Sequence, residues 1–72
     1  MVDLEVQVNN IIPIKDKLNL TIKEASIYSN IGETTIRNLL KQPRCGFLLK
    51  VGNKQLIKRK EFENYINSKH YL

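Results

Sequence analysis

The sequence contains few of the features on which catalysis, metal binding or secretion depend. Cys45 is the single cysteine of 72 residues, so no internal disulfide can form, and no Cys/His cluster has metal-ligand spacing. There is no His/Asp/Ser or Cys/His constellation, no carboxylate pair in an apolar setting and no phosphate-cradling glycine loop. The longest apolar stretches, such as residues 47–49, are far too short for a signal peptide or a membrane span. We therefore expect a cytoplasmic protein that is not an enzyme, binds no metal or cofactor and has no membrane partner.

Acidic residues are also scarce relative to basic ones. Seven Asp and Glu oppose twelve Lys and Arg, which gives a net charge of +5 and favours a polyanionic partner such as nucleic acid. The alternative is a basic protein without such a partner. A chain of this length holds one small core. We expect a tail or short strand over residues 1–10, one domain over 11–68 and a tail over 69–72.

Residues 20–40 have the pattern of two short helices joined by a tight turn, which is a candidate helix-turn-helix. Thr21 followed three residues later by Glu24 predicts a capping box, so the first helix should begin at Ile22. The segment 30–32, Asn-Ile-Gly, should end that helix, because Asn tolerates a left-handed conformation and Gly is an acceptable N-cap. The second helix should then begin near Glu33.

The second predicted helix has one apolar and one polar face. Ile36, Leu39 and Leu40 recur at helical spacing on one side. The opposite side carries no acid and presents donors suited to phosphates and base edges, namely Thr34, Arg37, Asn38 and Lys41. This face predicts a helix that reads the DNA major groove. The alternative is an ordinary solvated surface helix.

A β-hairpin is predicted after the second helix. Segments 47–51 and 54–58 flank Gly52-Asn53, a dipeptide suited to a tight turn with positive φ. Lys50 and Lys54 lie beside this turn and could reach phosphates next to the groove that the second helix occupies, as a wing does. The alternative is a structural hairpin with solvated lysines.

The N-terminal part is less informative. Residues 4–8 alternate apolar and polar side chains as a half-buried strand does, although they could equally be a loose tail. Pro13 restricts segment 11–14 to an edge strand or an extended arm. The simplest model is a small hairpin, with a turn at 15–17, that leads into the first helix. It could cover Ile27, which points away from the other apolar residues of that helix, although an exposed Ile would also be ordinary.

A third helix is predicted to close the core. Phe62, Tyr65 and Ile66 have helical spacing, and Glu61 and Glu63 suit the positive end of a helix dipole in its first turn. We interpret these carboxylates as structural. The basic run before them could grip a phosphate or simply be solvated, and consists of Lys58, Arg59 and Lys60.

In this order, the motifs resemble the winged-helix excisionases of conjugative transposons, within the wider MerR-like group. The resemblance covers about residues 12–65 and rests on IPI before the first turn, LTIKEAS.Y, IGE...R.L and GN...IKRK.FE. It implies an α+β winged helix-turn-helix domain with an N-terminal hairpin, two helices, a β-hairpin wing and a C-terminal helix. Ser29 departs from the family pattern, which has a large apolar residue there. The matching positions of the reading helix and wing tip are Glu33, Thr34, Thr35, Arg37, Asn38, Lys41, Gly52, Asn53 and Lys54.

The resemblance also implies a function and partners. The protein would bind double-stranded DNA at the ends of a mobile element, with other copies of itself, and direct a tyrosine recombinase (integrase) towards excision. Two alternatives stay open. A MerR-like transcriptional regulator normally adds a long dimerising helix, for which we expect no room between Ile66 and Leu72. A protein-interaction module that docks on a recombinase would be basic only incidentally.

Overall fold

The computed structural model describes residues 12–72, which form three helices, a 3₁₀ turn and a three-stranded antiparallel sheet. No helix in this part of the chain is long and apolar enough to cross a membrane. The α+β winged helix-turn-helix class predicted from the sequence is confirmed. In chain order the elements are the 3₁₀ turn Ile14–Asp16, β1 Asn19–Leu20, α1 Ile22–Ser29, α2 Glu33–Leu40, β2 Leu48–Val51, β3 Lys54–Lys58 and α3 Arg59–Asn67.

The start of α1 has the predicted capping box. The backbone N–H of Glu24 donates to the Thr21 hydroxyl, and the backbone N–H of Thr21 donates to the Glu24 carboxylate, both at 3.0 Å. Lys17 forms an ion pair with the same carboxylate. Burial alone would raise the pKa of Glu24, but the hydrogen bonds from Lys17 and Thr21 and the Lys17 charge outweigh it and lower that pKa. This cluster anchors the incoming chain to the helix start.

The turn between α1 and α2 is held by two serine hydroxyls. Asn30 adopts the left-handed conformation predicted for it, with φ 61°. Ser26 donates to the carbonyl of Ile31 at 2.6 Å, while Ser29 donates to the carbonyl of Ala25 at 2.7 Å and accepts from the N–H of Ile31 at 3.2 Å. Ser29, which departs from the family pattern, therefore satisfies backbone groups at the helix end. Ile31 packs against the core.

The sheet has the strand order β1-β3-β2. Ile57 of β3 lies opposite Leu20 of β1 and also opposite Leu48 of β2. The predicted turn between β2 and β3 is present. Gly52 has φ 61°, and Asn53 does not have a positive φ, which is the pattern of a type II′ turn.

The prediction of an N-terminal hairpin is wrong from residue 12 onwards, where the structure describes the chain. The segment after Pro13 forms a 3₁₀ turn instead of an edge strand. The strand that precedes α1, Asn19–Leu20, pairs with β3 rather than with an earlier strand. The strand predicted over residues 4–8 lies outside the described residues. Ile27, which the predicted hairpin could have covered, is 65% exposed.

The core lies between the helices and the inner face of the sheet. An edge-to-face contact joins Phe47 and Phe62, whose ring centroids are 5.2 Å apart, and the ring of Tyr65 lies 5.3 Å from that of Phe47. Among the described residues no polar or charged residue is buried. The buried side chains are those of Leu20, Ala25, Ile36, Leu39, Leu40, Phe47, Ile57 and Phe62.

Helix α3 begins at Arg59. The sequence predicted a later start, because it placed both Glu61 and Glu63 in the first turn, whereas the structure has only Glu61 there. Glu63 therefore lies in the second turn, where it accepts hydrogen bonds from Arg59 at 3.2 Å and from the Tyr28 hydroxyl. The hydrogen bond to Glu63 raises the pKa of Tyr28, and the same bond lowers the pKa of Glu63. The ring of Tyr28 lies at the margin of the fold, and the residue is 40% exposed. This contact joins α1 to α3.

We predict that Phe62→Ala unfolds most of the molecules at room temperature. Phe62 is 1% exposed, and removing a buried Phe costs about 3–5 kcal/mol, close to the whole free energy of unfolding that so small a core supplies. Urea titration followed by circular dichroism measures the loss. The exposed Asn64 on the same helix provides the control, since Asn64→Ala should retain the wild-type midpoint. A fully folded Phe62→Ala variant would show that the aromatic contacts are not essential.

Candidate nucleic-acid interface

Helix α2 separates core residues from exposed polar residues as its sequence predicts. Ile36, Leu39 and Leu40 are buried. These three side chains belong to the same buried cluster as Ala25 of α1 and Ile57 of β3, and their burial fixes the direction of the opposite face. That face is open to solvent, and the side chains predicted for DNA contact on it are all exposed: Glu33, Thr34, Thr35, Arg37, Asn38 and Lys41.

The one acid of α2 is paired with its central cation. The Nη2 atom of Arg37 lies 3.3 Å from Oε1 of Glu33, and the two side chains are 56% and 44% exposed. An exposed i,i+4 pair of this kind contributes little to stability. It therefore leaves the guanidinium free to exchange Glu33 for another acceptor. Arg37 has the planar, bidentate donor geometry that matches a guanine edge or a phosphate.

The wing lies beside this helix. Arg37 lines one open groove together with Ile22 at the start of α1 and the turn region of the hairpin. The hairpin residues that line this groove are Lys50, Gly52, Asn53, Lys54 and Gln55. Chain segments distant in sequence thus form one surface. We call this groove, with the exposed residues of α2, the helix–wing surface. Its cations are Arg37, Lys41, Lys50 and Lys54.

Gln55 is a member of this surface that the sequence analysis missed. It is paired with Lys50 across the hairpin, and it precedes the buried Ile57 by two residues in β3. Side chains two residues apart in a strand point to the same face. Gln55 therefore lies on the side of the sheet that holds the helices, and strand alternation counted back from Ile57 would have found it.

The basic run before α3 does not join the helix–wing surface. Lys58 and Lys60 line a separate depression with Leu18 and Leu49. The Arg59 side chain is only 15% exposed, because its Nε donates to the carbonyl of Lys17 at 2.7 Å and its Nη1 to Glu63. Its guanidinium is committed to the fold, so we remove Arg59 from the predicted phosphate contacts. Lys58 and Lys60 lie outside the helix–wing surface, so we do not expect them to contact the DNA that this surface binds. Because β3 ends at Lys58 and α3 begins at Arg59, the side chain of Arg59 points in a different direction from those of Lys58 and Lys60.

No metal cluster competes with this interpretation within residues 12–72. No group of three or more His, Cys, Asp or Glu side chains in that range is arranged to hold an ion. Cys45 is a free cysteine, and it is partly exposed in the loop between α2 and β2.

Comparison with known proteins gives two matches. The model of the family described as "Excisionase from transposon Tn916" matches residues 6–71. A curated protein of Streptococcus agalactiae serotype V, described as an excisionase from transposon Tn916, is 43% identical over 58 residues, which cover 79% of this chain and 87% of that protein. No solved structure gives a significant match.

The position of Lys54 at the wing tip predicts a change in the salt dependence of DNA binding. Each neutralised phosphate releases counterion, so Lys54→Ala should reduce the slope of log affinity against log salt by about one unit. Fluorescence anisotropy with a labelled duplex at several salt concentrations measures this slope.

Lys58→Ala is the matched control, because Lys58 lies at the other end of the same strand and outside the groove. Its slope should equal that of the wild type. An unchanged slope for Lys54→Ala, with normal folding, would mean that the hairpin does not touch the DNA backbone.

Proposed function

Because this chain belongs to the Tn916 excisionase family, we propose that it promotes excision of a mobile element by binding DNA at the ends of that element and assisting a tyrosine recombinase. The observation that carries the proposal is the groove that Arg37 of α2 shares with the wing. A helix with an exposed cationic face beside a basic hairpin fits a duplex whose major groove admits the helix while the wing follows the adjacent backbone.

In this proposal α2 provides sequence recognition. Arg37 contacts the O6 and N7 atoms of a guanine, and Asn38 pairs with an adenine edge. The other exposed polar residues hold it in the groove through the sugar-phosphate backbone, and these are Thr34, Thr35 and Lys41. Glu33 contributes by holding the Arg37 guanidinium beside the helix before DNA arrives.

The wing positions the domain on the duplex. Lys50 and Lys54 contact phosphates next to the groove that α2 occupies, and the backbone of Gly52-Asn53 permits a close approach at the tip. Phosphate contacts of this kind set orientation and affinity but carry no base information. Recognition therefore divides between the helix, which specifies, and the wing, which positions.

The protein assists excision without chemistry of its own. One reading helix and one wing cover a short site, so useful specificity requires several copies or a partner on neighbouring DNA. The output of such a domain is the shape of the bound DNA and the surface it offers to neighbours, which together let a recombinase assemble on one arrangement of sites. Strand cleavage and joining belong to the recombinase, and the complex forms in the cytoplasm.

Arg37→Ala should relax base preference at one position of the site. Loss of a bidentate guanine contact costs roughly 1–3 kcal/mol of discrimination against the wrong base. Binding to a panel of duplexes with single base changes measures it. Arg37→Lys is the matched variant, since it keeps the charge and loses the fork geometry. Equal weakening for all sequences by Arg37→Ala, with recovery in Arg37→Lys, would make Arg37 a phosphate contact.

Excision itself tests the whole proposal. Purified recombinase from the same element and DNA carrying the ends of the element should give excision that increases when this protein is added, and the protein alone should leave the DNA uncut. The amount of joined product is measured by quantitative amplification across the new junction. Unchanged excision, together with a response of a nearby promoter, would replace this proposal with a MerR-like regulatory function.

A further inference from the structure

The outer face of the sheet carries apolar side chains that the core does not use. Leu48 and Ile57 are paired and point to the core, so the adjacent pair, Leu49 and Leu56, points to the opposite side. Leu18, just before β1, is 76% exposed and lines one depression with Leu49. We call this region, with the lysines at its rim, the outer sheet face.

The rim of this face is mainly basic. Lys58 and Lys60 line the same depression as Leu18 and Leu49, while Glu61 is the acid that shares it. Both lysines are exposed, and neither is among the ion pairs within residues 12–72. An apolar centre with an unpaired cationic rim has the anatomy of a protein-docking surface.

The composition favours a protein over DNA as the occupant. Interfaces with DNA are polar and strongly cationic, and a duplex offers little apolar surface to cover Leu18, Leu49 and Leu56. The outer sheet face also lies across the sheet from Gln55, which belongs to the helix–wing surface. DNA on the helix–wing surface and a protein on the outer sheet face can therefore be bound at the same time.

The charges disfavour a second copy of this chain placed face to face. Such a pair would bring Lys58 and Lys60 of one molecule against the same residues of the other, and like charges across an interface are unfavourable. An acidic segment with apolar side chains complements both the rim and the centre of the face. On the basis of the proposed function, we infer that the outer sheet face docks an acidic, apolar segment of the tyrosine recombinase while both proteins occupy neighbouring DNA.

The test measures how strongly this protein increases the affinity of the purified recombinase for a DNA fragment that carries both binding sites. Leu18→Ser removes apolar surface, and Lys60→Glu reverses a rim charge at a helix start that accepts an acid. Leu18→Ser should lower the enhancement at least about fivefold, as expected of a central interface residue. Lys60→Glu should lower it by a similar factor, because it places like charges opposite each other across the interface. Each variant should bind DNA alone as the wild type does, with an unchanged salt slope.

Ile27→Ser is the matched control, because Ile27 is also an exposed apolar residue, 65% accessible, but lies on α1. It should give the wild-type enhancement. Circular dichroism checks the folding of all three variants, and Lys60→Glu keeps the test valid if Leu18→Ser is unstable.

Three results would overturn the inference. Wild-type enhancement by both variants would exclude the outer sheet face as the docking surface. Weaker DNA binding or a lower salt slope for Lys60→Glu in the absence of recombinase would assign this face to DNA. A wild-type protein that stimulates excision without raising the recombinase affinity would leave the proposed function intact and remove direct docking. Failure of the wild type to stimulate excision would instead remove the proposed function, on which this inference rests.

Discussion

The pairing of Ile57 with residues on both sides of it is the constraint on which the other features depend. Ile57 is fully buried and lies opposite Leu20 in β1 and Leu48 in β2. A slip of one residue in either pairing would turn this side chain to solvent and bring its lysine neighbour inwards, at a large desolvation cost. The register is therefore strongly specified. It directs Gln55 towards α2 and Leu56 away from it, and so determines which surface each residue of β3 joins.

Features set by neighbouring residues could be predicted from the sequence. The capping box of Thr21 and Glu24, the left-handed Asn30 and the Gly52 turn are local, because each depends on side chains and backbone groups a few residues apart. The pairing of Asn19–Leu20 with β3 is not local. It is two residues long, joins segments far apart in the chain and leaves no periodic pattern to detect. For that reason the sequence suggested a hairpin with the preceding segment, which the structure does not contain within its described residues.

For the candidate site too, the part that depends on local sequence could be predicted and the part that depends on tertiary contacts could not. The exposed face of α2 follows from helical periodicity, because Ile36, Leu39 and Leu40 must be buried and the remaining positions must then be exposed. Charge alone could not separate the members of the basic run at 58–60. Their directions depend on the exact residue at which strand changes to helix, and boundaries of this kind are set by tertiary contacts such as that of Arg59 with the Lys17 carbonyl.

Small size links the fold of this domain to its proposed binding. The buried residues are few, so the free energy of unfolding that they supply is modest. The helix–wing surface exists only while α2 and the hairpin are held against the same core, since Arg37 belongs to one element and Lys54 to the other. A duplex that contacts both binds the folded form and not the unfolded chain, so DNA binding must stabilise the fold by mass action. In the proposed excision complex, occupancy of the site and integrity of the domain would therefore rise together.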